Sequence, residues 1–294
     1  MASSANSNFS TWEEVRDQLR KFREDNVRCS EEVVEIADSL LADHANKLGD
    51  EAWIVYEQLF IASLDIGKID VASACIRELN IQFPNSIRVR KLMGMRYEAL
   101  QKYDEALNIY EDILEEDESN SVVRKRYVAI HKARRNIPAA IKLLNDHVKK
   151  FSADHEAWME LADLYISEQE YSKAAYCVEE LILSNPHNHL YHQRYAEIKY
   201  TQGEMPMACK YFSQAAKLNG DNMRALYGIF MSASNLAGSP KGNAKTKKDN
   251  MKYAAWAARQ ISEKYKSVEM RDHDAQVEAI EEMLDSLQVV PSTN

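Results

Sequence analysis

The chain has 294 residues, is 45% hydrophobic and 28% charged, contains only 8 Gly and 6 Pro, and carries a formal charge of −9. That length exceeds what one compact core ordinarily serves, and the acidic balance argues against general nucleic-acid binding, which needs a basic face to neutralise phosphates. No apolar stretch approaches the roughly 20 residues that span a bilayer, and MASSANSNFSTWEEV lacks the basic and apolar regions of a secretory signal.

Residues 1–10 read as a disordered N-terminus. Thr11 with Glu14 makes a capping box before an amphipathic stretch to about Glu24. Ser30 is expected to cap a second helix through Leu48, so 11–48 form N-terminal helices. From 49 to 221 the chain repeats itself. Ala72, Ala106, Ala140, Ala174 and Ala208 stand 34 residues apart with no insertion or deletion, and 34 is the period of the tetratricopeptide helix–turn–helix repeat.

The other positions fall into columns on those alanines. Four residues further come large apolar side chains: Ile76, Tyr110, Leu144, Val178 and Phe212. Seven further stand Leu79, Ile113, His147, Leu181 and Ala215. The small residue lets the helices of a hairpin approach, and the large ones fill the space between pairs. Each unit ends at Pro84, Glu118, Ser152, Pro186 or Gly220, where proline or glycine stops a helix. Pro138 and Pro206 open second helices, where a missing N–H costs nothing. The third unit departs most, with His131 in a tyrosine position and His147 in a usually small one.

Beyond Asp221 a sixth pair is expected from Met223–Leu236 and Asn250–Tyr265, joined by a loop expanded over 238–248, within 222–266. The remaining 267–294 hold a C-terminal helix, about Asp272 to Gln288, with Val277, Ile280, Leu284 and Leu287 on one stripe, and a tail. The fold class is all-α: a tetratricopeptide-repeat solenoid, a right-handed superhelix of helix hairpins. Such stacks offer long surfaces for other chains and rarely a catalytic pocket.

The chemistry-bearing residues agree. GxGxxG, P-loop, GxSxG and HExxH motifs are all missing, so the chain is read as a non-enzyme with no cofactor and no metal. Cys29, Cys75, Cys177 and Cys209 are scattered, as buried small hydrophobes would be in a reducing compartment. His187, His189 and His192 lie close in sequence, but no thiolate or carboxylate at ligand spacing completes a zinc set, so they read as turn and cap residues.

Charge is patterned. Ser121 to Arg135 holds six Lys/Arg and no acid. First-helix positions two, five, nine and twelve face the groove in this class of repeats. They supply Arg88 and Lys91, then Lys125 and Lys132, with Arg126 in the same basic run. Further along they supply Glu156, Asp163, Gln193, Glu197 and Tyr200. One half of the candidate groove is thus basic and the other acidic, a polarity that would orient a bound chain more than tighten it. Lys241, Lys245, Lys247 and Lys248 read as a solvated loop within reach of anionic headgroups.

Three segments go beyond generic repeats: SNPHNHLYHQRYAEIKYTQG, AKTKKDNMKYAAWAARQI and TWEEVRDQLRKFREDN. They resemble the family of subunit 2 of the endoplasmic reticulum membrane protein complex, and the likeness runs from about Thr11 to Gln288. The resemblance implies a non-catalytic scaffold on the cytoplasmic face of that membrane. It would hold the cytosolic parts of subunits 3 and 5 and the soluble subunit 8 or 9 of a machine inserting tail-anchored and multipass proteins. It further implies peripheral, indirect membrane association, no nucleic acid and no homo-oligomer. The alternative is a co-chaperone adaptor gripping a chaperone's C-terminal peptide. Lys91 suits such a clamp, but Met95 replaces its asparagine and Leu190 its later lysine, despite Arg194.

Overall fold

A computed structural model of the chain describes residues 11–240, 243–266 and 282. Those residues form fourteen α-helices in two compact units, 1–136 and 137–294. The first holds α1 (Trp12–Glu24), α2 (Ser30–Leu48), α3 (Glu51–Asp65), α4 (Ile69–Gln82), α5 (Ile87–Ala99), α6 (Tyr103–Glu116) and α7 (Ser121–Ala133). The second holds α8 (Ile137–Lys150), α9 (His155–Ser167), α10 (Tyr171–Ser184), α11 (His189–Thr201), α12 (Met205–Leu218), α13 (Met223–Gly238) and α14 (Ala244–Lys266). Within each unit every helix packs on its neighbours in sequence.

The 34-residue period survives as geometry. Second helices begin at Ile69, Tyr103, Ile137, Tyr171 and Met205, and first helices at Ile87, Ser121, His155, His189 and Met223. All five column alanines are fully buried, as are Tyr110, Leu144 and Val178 four residues on. His147 is buried too, 1% exposed, and keeps its place by sharing a 2.9 Å hydrogen bond with Asp154 Oδ2 while its ring lies 4.8 Å from Phe151.

The turn between paired helices repeats as closely. Gly67, Gln101, Arg135, Gln169 and Gly203 all take positive φ. After each, the next N–H bonds back five residues: Lys68 to the Ser63 carbonyl, Lys102 to Tyr97, Asn136 to His131, Glu170 to Tyr165 and Glu204 to Lys199. This closure satisfies the last carbonyls of the first helix. Two positions are glycine; the other three accept the left-handed conformation at a cost of about 1 kcal/mol each.

One expected cap is met, and two expectations need adjusting. Thr11 does cap α1, accepting from the Glu14 N–H at 3.3 Å. Ser30 does not cap α2: it is the helix's first residue, and its hydroxyl donates instead to Asp65 Oδ2 at 2.6 Å. The Lys-rich connection is shorter than 238–248, because α14 begins at Ala244 and takes Lys245, Lys247 and Lys248 into a helix. Asn243 causes this early start, its Oδ1 accepting from the Thr246 N–H at 2.7 Å. Lys241 and the helix expected over 272–288 lie outside the described residues, Glu282 apart.

Candidate partner-binding faces

The first helices of the first unit carry the basic candidates. Arg88 and Lys91 occupy positions two and five of α5; Lys125 and Lys132 occupy positions five and twelve of α7. Arg88 pairs with Glu57 of α3 at 2.5 Å. Arg126 differs from the rest. Its Nη1 donates to Glu98 Oε2 at 3.0 Å, and the fully buried Tyr110 donates its hydroxyl to the other oxygen of the same carboxylate. Burial pushes the Glu98 carboxyl above its usual range, and the Arg126 and Tyr110 hydrogen bonds hold it back only in part. Arg126 therefore ties α7 to α5 rather than presenting charge to a partner.

Stepping back 34 residues from Arg88 and Lys91 reaches Ile54 and Glu57 on α3, which belong to the same columns. Ile54 is 45% exposed. With Trp53, Phe83, Val89 and Leu92 it lines a cavity of about 500 Å³, with the Glu57–Arg88 pair in its wall. Phe83 meets Trp53 edge-on at 5.6 Å. The column arithmetic could have found this niche by extension to the first repeat; the charge count alone could not.

In the second unit the acidic candidates are largely compensated. Asp163 pairs with Arg194, which also reaches Glu197 at 3.1 Å. Glu197 accepts from Gln193 at 2.9 Å and pairs with Arg224 at 2.6 Å. Gln193 in turn accepts from Asn222 at 2.8 Å. This lattice fixes α9, α11 and α13 to one another and leaves a mixed rather than an acidic surface. Glu156 stands exposed at position two of α9. Tyr200, at the end of α11, lines a shallow cavity with Phe230 and Met231. Arg194, committed to two carboxylates, is not available for the carboxylate clamp of a co-chaperone.

The three histidines do not converge. His192 bonds to the Pro186 carbonyl at 2.8 Å, and His189 lies within hydrogen-bonding distance of the Asn219 and Asn222 side chains. Among the described residues no group of three His, Cys, Asp or Glu is placed to hold a metal ion. Burial pushes the Cys75 and Cys177 thiols up to about 12, which suppresses the thiolate that nucleophilic chemistry requires.

Helix pairs at a strict 34-residue spacing, packed through an invariant small position and presenting first-helix columns, define a tetratricopeptide-type repeat protein. A profile of the EMC2 TPR-like repeat domain matches residues 82–218. The chain is 51% identical to ER membrane protein complex subunit 2-B of Xenopus laevis, covering 96% of this chain and 97% of that one. It is 31% identical to ER membrane protein complex subunit 2 of Dictyostelium discoideum, over 87% and 84% of the two chains. The chain belongs to the ER membrane protein complex subunit 2 family. The C-terminal part of a TPR repeat-containing protein from Cytophaga hutchinsonii is similar in fold, with a TM-score of 0.59 over 85% of this chain and 94% of that one at 13% identity. Among the described residues no helix is long and apolar enough to cross a membrane.

Proposed function

We propose that the protein is a non-catalytic scaffold subunit of the endoplasmic reticulum membrane protein complex. It sits peripherally on the cytoplasmic face, where its first-helix columns hold the cytosolic parts of subunits 3 and 5 and the soluble subunit 8 or 9. In this role it organises the complex for insertion of tail-anchored and multipass proteins. The observation that carries the reading is near-complete collinearity with the subunit 2 relatives, 51% identity over 96% of the chain.

The surface chemistry supports it. The first unit carries Lys91, Lys125 and Lys132 on the first helices α5 and α7, and an apolar niche built on Trp53 and Phe83 with Arg88 of α5 in its wall. That pairing suits a partner segment carrying acids and one bulky apolar anchor, with the charges guiding encounter and the niche supplying burial. Purification of the tagged protein in mild detergent tests the reading. Integral membrane sister subunits are expected to come with it in fixed ratio; a protein recovered alone would refute the assignment.

A further inference from the structure

The second helices of the second unit carry a face that the first-helix columns do not use. Two and nine residues past the column alanine, α8 places Lys142 and Lys149, and α12 places Lys210 and Lys217. At the same two positions α10, the repeat between them, places Tyr176 and Leu183. All six side chains are exposed, Tyr176 by 55% and Leu183 by 76%. Equivalent positions of a repeat lie on the same side of the stack. Seven residues apart on one helix, Tyr176 and Leu183 share a face and stand about 10 Å apart along its axis. A pattern of exposed lysines thus gives way to two large apolar side chains on the middle helix.

We infer that this face docks an acidic amphipathic helix of a partner chain, its apolar stripe lying on Tyr176 and Leu183 and its flanking carboxylates reaching the lysines of α8 and α12. Three observations carry the inference. The apolar ridge is wider than two side chains, because Trp158 of α9 meets Tyr176 edge-on at 6.2 Å. Among the described residues Lys142, Lys210 and Lys217 have no ion-pair partner, and Lys149 has only the exposed Asp146 at 3.3 Å, a pair worth little in water. The carboxylates of α10 are already engaged within the unit: Glu179 accepts from the Tyr195 hydroxyl at 2.6 Å, and Glu180 accepts from the Tyr176 hydroxyl.

Those same two carboxylates separate a helix from the rival cover, an anionic membrane. A lipid surface meets the whole face at once and is repelled by acids standing on the ridge. A helix lays its apolar stripe on the ridge and sets its acids to either side, over the lysines. The ridge and its lysines all belong to second helices, so a partner seated here leaves the first-helix columns open to others.

A dansyl-labelled model helix, with leucines along one stripe and glutamates flanking it, tests the inference by anisotropy on the purified full-length protein. Saturable binding is expected. Tyr176→Lys/Leu183→Lys carries the lysine pattern of α8 and α12 across α10 and alters only exposed side chains. It should weaken binding about tenfold even though it adds two positive charges. Lys142→Glu/Lys210→Glu/Lys217→Glu should weaken it at least as much, with circular dichroism unchanged in both variants. Equal or tighter binding by the double lysine variant would reveal attraction of charge alone and overturn the inference, as would no binding to wild type. So would a preference for vesicles rich in phosphatidylserine over the helix, which would make this face a membrane surface. These substitutions leave the first-helix columns untouched, so co-purification of sister subunits reports separately on membership of the complex.

Discussion

At the residue scale, the small-and-large columns act as packing rules. Gly94 on α5 faces Tyr110 on α6 so closely that a Cβ at residue 94 would stand 2.3 Å from the ring. Tyr110 cannot retreat, since it is fully buried and its hydroxyl holds Glu98. Gly94→Ala is therefore expected to destabilise the first unit by about 2 kcal/mol through overpacking, measured as a lowered urea midpoint with an unchanged slope. At the equivalent position of the fourth repeat, Ala162 is tolerated beside the smaller Val178. The glycine was visible in the sequence as a small-position residue. Its necessity was not, because that depends on where the tyrosine ring lies.

At the element scale, the units are joined internally by few but specific polar ties. Asp65, at the end of α3, accepts from Arg28 ahead of α2 and from the Ser30 hydroxyl. The Arg28 hydrogen bond holds the Asp65 carboxyl below the usual carboxylate range, burial opposing it and Ser30 assisting. A carboxyl with a depressed folded-state pKa stabilises fully above its unfolded value, near 3.9, and loses that contribution as pH falls through the folded one. Asp65→Asn should cost about 0.5 kcal/mol at neutral pH, a low figure because Arg28 is 75% exposed. The gap between variant and wild type should close below about pH 4. Thermal melts at neutral pH and near pH 3 check both statements, and a gap that widens in acid would contradict them. None of this was readable beforehand, since Arg28 and Asp65 are 37 residues apart with no periodic relation.

At the scale of the whole molecule, the question is which charges serve partners and which serve the fold. The basic run 121–135 looked like one patch, but Arg126 is bound to Glu98 and Arg134 to Asp104. Charge reversal at Lys91, Lys125 and Lys132, on the first-helix columns, is expected to weaken co-purification with sister subunits several-fold and leave helicity intact. Arg126→Glu should instead lower the melting temperature, because it leaves a half-buried carboxylate facing a like charge. Circular dichroism beside quantitative pull-down separates the two. Equal loss of fold in both variants would refute the division.

What the sequence by itself determined is whatever repeats. A fixed 34-residue period places every column alanine, the paired apolar residues and the helix starts from Ile69 to Met223, because each repeat is built on the same local contacts. The niche on α3 was within reach of the same arithmetic. What only the tertiary structure decided is what breaks the period: the Glu98–Tyr110–Arg126 knot, the Arg194–Glu197–Arg224 lattice, and the early start of α14. Those depend on which long side chains meet across helices. A flexible arginine reaching over several ångströms leaves no signature in spacing, so its partner emerges only when the helices are in place.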